Sequence, residues 1–252
     1  MEIYKRLAEV YDSGGWIEYS RRLLPYLQEV LRRFRFRPQR ILDLACGTGT
    51  VAVSMAQEGF QVVAVDLSPA MLLEAEKKAQ RAGVKVAFLR QDMRRLTLKE
   101  PVDLVTCFFD SLNYLLSYED LVRTFKRVAR VLSSGGLFVF DINTPAGLAT
   151  HWNYRKEGQD LEAVAILGSN SYDPQKKLGT IHITVFKKVG RLYEKFTEVH
   201  TERAYSRSEV KKALRESGLK SLASYDCMTF RRPRRKTGRI LYVVTGAKNV
   251  WS

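Results

Sequence analysis

Residues 40 to 57 hold the most restrictive pattern in the chain. An apolar run, Arg40-Ile-Leu-Asp-Leu44, leads into Ala45-Cys46-Gly47-Thr48-Gly49, and a helical stretch begins at Thr50. Strand, glycine turn and helix in that order make a βα unit whose turn lies at the carboxyl end of a strand. Gly47 and Gly49 can take backbone angles closed to other residues and let a ligand approach the main chain, while the first helical turn offers unpaired amide donors. The spacing Gly47-x-Gly49-x-x-Ala52 also satisfies the fingerprint of dinucleotide-binding folds, so the turn alone leaves the ligand open.

The same strand and helix alternation continues to about residue 145 and predicts a doubly wound α/β sheet, mostly parallel, with helices on both faces. Strands are expected at Arg40–Leu44, Gln61–Asp66, Val84–Leu89, Val102–Phe109 and Gly136–Asp141. Helices are expected over 50–57, over 69–81 behind the Ser68 cap and Pro69, and over 118–132. Ahead of the first strand, residues 16–34 place Ile17, Leu24, Leu27 and Leu31 near one face of an amphipathic helix. After Asn143 the chain turns to extended segments rich in Thr, Val, Ile and Tyr, at 163–168, 179–189 and 192–204, with turn signals at Tyr172-Asp-Pro-Gln and Val189-Gly190. These predict an inserted antiparallel β meander acting as a cap. A helix over 206–217 and two closing strands, 221–230 and 239–247, return the chain to the sheet.

Two aspartates narrow the ligand. Asp43 puts a carboxylate four residues before the first glycine, where the doubly anionic pyrophosphate of a dinucleotide would be repelled. S-adenosylmethionine carries an ammonium and a sulfonium, and a carboxylate favours both. Asp66, ending the second strand, is placed to accept hydrogen bonds from ribose hydroxyls. Each aspartate taken singly could be no more than a strand-end helix cap.

On these residues the sequence resembles the class I, Rossmann-like S-adenosylmethionine-dependent methyltransferases, of the type acting on small molecules. Ile41-Leu-Asp-Leu-Ala-Cys-Gly-Thr-Gly49 is similar to the family's first motif and Val63-Ala-Val-Asp-Leu-Ser68 to its second. Gln91-Asp92-Met93 matches the adenine turn, Val102-Asp-Leu-Val-Thr-Cys107 the strand leading to the reactive centre, and Leu132-Ser-Ser-Gly-Gly-Leu-Phe-Val-Phe140 the later turn and strand. The resemblance implies a seven-stranded sheet with one antiparallel strand in its last hairpin. It divides the chain into an N-terminal helical lid (1–35), a Rossmann-like S-adenosylmethionine-binding domain (36–145 and 205–252) and an inserted antiparallel β cap (146–204). It implies a cofactor site of Asp43, Ala45, Cys46, Gly47, Gly49, Asp66, Leu67, Met71, Gln91, Asp92, Met93 and Phe108, with Asp92 on the adenine amine. Tyr11 resembles an element touching the methionine end of the cofactor, and Tyr19 and Arg21 are candidates to help close the lid. Core packing is the competing reading for Leu67 and Met71.

The acceptor is read from the segment after the fourth strand. Cys107-Phe-Phe-Asp-Ser-Leu-Asn113 lacks the Asn/Asp-Pro-Pro-Tyr/Phe element of methyltransferases that grip planar amines. Phe109-Asp-Ser-Leu-Asn-Tyr114 and Phe138-Val-Phe-Asp-Ile-Asn143 resemble small-molecule methyltransferases, which places Asp110, Asn113 and Tyr114 near the reactive methyl. Asp110 could equally cap the helix after the strand. His151 is the candidate general base, with a surface or packing role as its alternative. The expected reaction moves a methyl group to a nucleophilic N or O of a small molecule, leaves S-adenosyl-L-homocysteine and uses no metal.

Charge keeps a second reading open. Of the net +15, residues 151–252 supply most, with 21 Lys+Arg against 10 Asp+Glu, where residues 1–150 carry 21 against 17. The run Arg231-Arg232-Pro-Arg234-Arg235-Lys236 is either a solvated turn or a phosphate contact for nucleic acid, including transfer RNA. A non-catalytic S-adenosylmethionine-binding protein is the third reading. The apolar runs are too short for a membrane span and no signal-peptide pattern opens the chain, so a cytoplasmic protein is expected. Cys46, Cys107 and Cys227 are too few and scattered for a disulfide framework or a zinc site.

Overall fold

The computed structural model describes residues 4–152 and 156–246. After a 3-10 turn at Leu7–Val10, the elements run α1 (Ile17–Arg33), β1 (Arg40–Leu44), α2 (Thr50–Gln57), β2 (Gln61–Asp66), α3 (Pro69–Arg81), β3 (Ala87–Arg90), β4 (Val102–Cys107), α4 (Tyr118–Val131) and β5 (Leu132–Asn143). Then come α5 (Pro145–His151), β6 (Lys156–Asp160), β7 (Val164–Asp173), β8 (Leu178–Val189), β9 (Leu192–Arg203), α6 (Arg207–Glu216), β10 (Leu219–Asp226) and β11 (Arg239–Gly246).

Seven strands form one sheet in the order β10-β11-β5-β4-β1-β2-β3. Strands β1 to β5 pair in parallel and β11 lies antiparallel to both β5 and β10, so one strand of the seven is reversed as expected. Period-two alternation buries both faces. Leu42, Leu44, Val105, Phe138 and Phe140 pack toward α4 and α6, while Ile41, Val62, Ala64, Leu104 and Val139 pack toward α1 and α2. The helices start where the sequence caps them. Ser68 accepts from the Met71 amide, Ser117 from the Asp120 amide, and Ser206 with Glu209 makes a capping box.

A second, antiparallel sheet runs β6-β7-β8-β9 and is the expected meander with one strand more. The additional strand, β6, is polar and pairs only with β7, so its sequence carries no alternation to read. Helix α5 is also absent from the sequence expectations. Its signals are present, since the Thr144 hydroxyl accepts from the Gly147 amide and Pro145 occupies the first turn, but a seven-residue helix containing glycine shows little periodicity. Strand β3 begins at Ala87, three residues later than expected. Strand β5 begins at Leu132 instead of Gly136, because Ser133 to Gly136 are taken up in a register shift against β4. A side chain at Gly136 would meet the Asp103 carbonyl at 2.8 Å, which fixes glycine there. The expected end of the last strand, Ala247, lies outside the described residues.

The N-terminal stretch expected to act as one lid divides between two partners. Leu7 and Val10 pack on Val164, Ile166, Val185 and Phe196 of the second sheet, whereas α1 packs on the seven-stranded sheet through Leu23, Leu27 and Val30. Among the described residues no helix is long and apolar enough to cross a membrane.

Candidate active site

A cavity of about 620 Å³ opens above the carboxyl ends of β1, β2 and β4. It is lined by the glycine turn, by Gln91 to Arg94, and by Tyr4, Lys5 and Tyr11 together with Val199 and Thr201 of β9. Parallel strands present their ends in a crevice of this kind, which is where doubly wound sheets bind ligands.

The turn is held open by its own backbone. Gly47 has φ +55°, and a side chain there would meet nothing within 4 Å, so the position faces free space. Gly49 has φ +75°, and a Cβ would lie 2.8 Å from that of Ala75, so this glycine serves packing of α3 against the turn. Asp66 ties the turn to the second strand by accepting from the Gly47 amide and the Ser68 amide, each at 2.8 Å. Asp43 accepts from the Thr106 hydroxyl at 2.9 Å through Oδ1, while its Oδ2 is buried without a hydrogen-bond partner. Burial raises the Asp43 carboxyl to about 7, against the lowering effect of Thr106 and the nearby Ala52 amide. Burial also raises Asp66, against the pull of the Ser68 and Gly47 amides. An unpartnered carboxylate oxygen beside an open glycine is an environment that gains from a cation.

Tyr11 is anchored over this turn by its neighbour. Asp12 accepts from the Thr48 hydroxyl at 2.7 Å and pairs with Lys78 at 2.7 Å, and Lys78 also donates to Thr48 and Thr50. The Tyr11 ring stacks on Trp16 at 5.5 Å.

Thirteen of the residues singled out in the sequence line this one cavity: Tyr11, Asp43, Ala45, Cys46, Gly47, Asp66, Leu67, Met71, Gln91, Asp92, Met93, Phe108 and Tyr114. Asp92 is there, but Arg94 already grips its carboxylate through Nε and Nη2, the latter at 2.6 Å, and holds its pKa down. Gly49, Tyr19, Asp110, Asn113 and His151 are not in the wall. His151 is exposed at the end of α5, because the helix that Thr144 and Pro145 start carries it toward Gly238 and away from the strand ends. The residue expected as a general base thus lies outside the cavity wall.

Asp110, Asn113 and Tyr19 instead belong to a buried polar network behind the wall. Phe109 and Asp110 both take left-handed backbone angles, φ +56° and +53°, costing about 1–3 kcal/mol each. Asp141 offsets this by accepting both of their amides, at 2.9 and 2.8 Å. Arg239 pairs with Asp110 at 2.6 Å and Asp141 at 3.1 Å, and its guanidinium lies over the rings of Tyr19 and Phe109, which stack at 4.4 Å. The Tyr19 hydroxyl donates to Asp141. Asn143 donates to Asp110 and to Glu202 of β9, and Asn113 exchanges hydrogen bonds with the Asn143 backbone. Burial raises Glu202 well above its ordinary value, with the Asp110 charge adding to it.

Sequence reading missed Tyr4, Asp141, Glu202 and Arg239. Arg239 stood at the edge of the basic run and gave no sign of turning inward. Glu198 was missed as well. It accepts the amides of Tyr4, Arg6 and Leu7 and so fixes the N-terminal stretch to β9.

A parallel sheet with acidic strand ends, an open glycine turn and a cavity above them defines a Rossmann-like fold with its ligand crevice at the strand ends. Residues 41–136 match the family model described as "Methyltransferase domain". A protein of Geobacillus sp. (strain WCH70), named only as a methyltransferase, is 32% identical over 86% of this chain and 89% of its own length. The crystal structure of an S-adenosylmethionine-dependent methyltransferase from Clostridium acetobutylicum ATCC 824 superposes with a TM-score of 0.83 at 33% identity, covering 89% of this chain and 91% of that one. The dTDP-4-amino-2,3,4,6-tetradeoxy-D-glucose N,N-dimethyltransferase of Saccharopolyspora spinosa is 26% identical over 77% of each chain. The chain belongs to the S-adenosylmethionine-dependent methyltransferases, and its fold is theirs.

Proposed function

We propose that the protein transfers the methyl group of S-adenosylmethionine to a nucleophilic N or O of a small-molecule acceptor. The observation that carries this reading is the cavity wall: beyond the strand ends it takes in Tyr4 and Tyr11 of the N-terminal stretch and Val199 and Thr201 of the second sheet. That favours an acceptor which enters whole over a polymer lying across the mouth. Arg231 to Lys236 line no part of the cavity. The sugar-amine methyltransferase among the relatives supports the same class of acceptor.

The residues fit the cofactor's charges. In this reading the Asp66 carboxylate, held at both oxygens by backbone amides, accepts from the ribose hydroxyls with its remaining lone pairs. Ala45, Cys46 and Gly47 bring bare backbone to the methionine end, Asp43 supplies the unpartnered oxygen that favours its cations, and Tyr11 covers it. Leu67, Met71 and Gln91 to Met93 enclose the adenosine, with Asp92 shared between Arg94 and the base. When bound, S-adenosylmethionine supplies a methyl already activated on a sulfonium. The protein's part is alignment and exclusion of water, together worth up to about 7–11 kcal/mol when reacting atoms are held near attack. Phe108 and Tyr114 flank the reactive end, and the Arg239 network sets the loop between them. Residues 146–204 serve as cap to the binding domain of 36–145 and 205–252, with 1–35 contributing the lid.

The test is incubation with methyl-labelled S-adenosylmethionine and cell extract, followed by separation into small-molecule, RNA and protein fractions. Label is expected in small molecules. Label in RNA, together with salt-resistant binding to bulk transfer RNA, would replace this reading with the nucleic-acid one. High affinity for the cofactor with no labelled fraction would leave a binding protein.

A further inference from the structure

A chain of buried hydrogen-bonding groups runs from the cavity wall into the protein. The hydroxyls of Tyr4 and Tyr114, both in the cavity wall, lie 2.6 Å apart. The Tyr114 hydroxyl is 3.1 Å from Nδ1 of His200, a residue 1% exposed on β9. His200 Nε2 has no hydrogen-bond partner and lies 3.4 Å from a carboxylate oxygen of Glu198. A buried imidazole with one nitrogen wired to a cavity phenol and the other facing a carboxylate has the arrangement of a proton acceptor oriented by an acid. Packing alone would not require it, because a buried polar nitrogen left unpaired is costly.

We propose that Tyr4, Tyr114 and His200 form the path by which the methyl acceptor loses its proton. The inference rests on the proposed methyl transfer to a protic N or O. Glu198 favours the tautomer with hydrogen on Nε2, so Nδ1 accepts from Tyr114, the Tyr114 oxygen accepts from Tyr4, and the Tyr4 oxygen keeps a lone pair for the acceptor. As the acceptor's N or O forms its bond to the methyl carbon, the carbon–sulfur bond breaks with its electron pair going to sulfur. The acceptor proton passes to the Tyr4 oxygen, the Tyr4 proton to Tyr114 and the Tyr114 proton to His200, giving an imidazolium beside the Glu198 carboxylate. The proton returns to solvent by the same path once product has left. An amine arriving as an ammonium uses the path before attack, and a hydroxyl uses it during attack.

Charges around the imidazole suit this direction. Glu198 and Glu202 flank it on its own strand, Tyr114 faces it from the 3-10 turn at Ser111–Tyr114, and Tyr4 packs on it at 4.6 Å from the N-terminal stretch. Glu198 is held down to about 2: burial opposes this, but His200 and the amides of Leu7, Arg6 and Tyr4 outweigh it, so a carboxylate is always present to receive the imidazolium. Burial raises both phenols, so neither stores negative charge and both hand protons on.

The test uses the full chain and two variants that keep both rings, Tyr114→Phe and Tyr4→Phe, with labelled S-adenosylmethionine and whichever extract fraction carries label in the wild type. Each variant is expected to lose about 10²–10⁴-fold in turnover. Calorimetric affinity for S-adenosylmethionine should fall far less than turnover, as each substitution removes one hydroxyl and keeps the ring in the wall. Nitrogen-15 spectra of histidine-labelled protein, with the signal assigned through His200→Gln, should show Nδ1 shifting in Tyr114→Phe. Wild-type turnover in both variants would overturn the path, as would an unmoved Nδ1 signal. Label confined to RNA or protein would remove the small-molecule reading while leaving the path to be judged on those variants. No label in any fraction would remove both.

Discussion

The two ends of the cavity are built by different rules. At the proposed donor end, Asp43 to Gly49, Asp66 to Ser68 and Gln91 to Met93 are three short segments, each at the carboxyl end of a parallel strand, and Asp66 ties two of them together through the Gly47 amide. At the proposed acceptor end, Tyr4 and Tyr114 of the wall and Asn143, His200 and Arg239 behind it come from five separate parts of the chain and meet through side chains. A donor site of this kind is a property of a strand end, whereas the acceptor site is a property of the assembled fold. Mutations at the first should weaken cofactor binding, and mutations at the second should first cost stability or turnover.

The largest expected effect follows from that contrast. Arg239→Met leaves Asp110 and Asp141 buried without their cation, which costs about 3–5 kcal/mol of stability in urea unfolding. Adding Asp110→Asn should recover part of the loss, because one uncompensated charge disappears with it. A single variant as stable as wild type would show that the network is not what holds the Phe109–Asp110 backbone. At the donor end, Asp66→Ala should weaken S-adenosylmethionine binding about 10–100-fold, or about 1.4–2.8 kcal/mol by calorimetry, as a charged acceptor is removed from the ribose. Unchanged binding would remove Asp66 from the cofactor site.

Legibility in the sequence follows the same division. The seven-stranded sheet, its reversed strand and most strand bounds could be read because hydrophobic period, caps and glycines are local signals. The candidates that line the cavity lie within a few residues of a strand end for the same reason, Tyr114 among them. The acceptor end was read poorly: Asn113 and Asp110 turned inward to Asn143 and Arg239, and His151 went to the surface with a helix that periodicity did not reveal. His200, like His182, sits in a strand pattern of the meander that reads equally as lining a substrate pocket or facing water. Its significance depends on Tyr4, 196 positions away in the chain, which no spacing rule connects to it.

Asp43 sharpens the comparison through pH. Burial raises its carboxyl to about 7 in the free protein, so below that value the group is protonated and offers no charge to a cation. Binding of S-adenosylmethionine at this carboxylate favours the ionised form and must release the proton. Affinity is therefore expected to rise with pH up to about 7 and level off above, by at most about tenfold per pH unit. Calorimetry in buffers of different ionisation enthalpy measures the released proton directly. Asp43→Asn should flatten the dependence; a slope that survives it belongs to another group.

The smallest effect is expected where charge is densest. Arg234, Arg235 and Lys236 are exposed on the connection between β10 and β11, outside the cavity wall, while Arg239 at its end turns inward against carboxylates. The run is thus divided by function as well as by exposure, and its exposed part belongs to neither end of the cavity. Replacing those three residues by Ser should leave turnover on the labelled fraction within about twofold, since surface charges beyond a Debye length of about 8–10 Å are screened at physiological salt. A large loss confined to low ionic strength would mean that the run steers an anionic acceptor toward the cavity mouth, and the acceptor end would then extend to the surface of the β10–β11 connection.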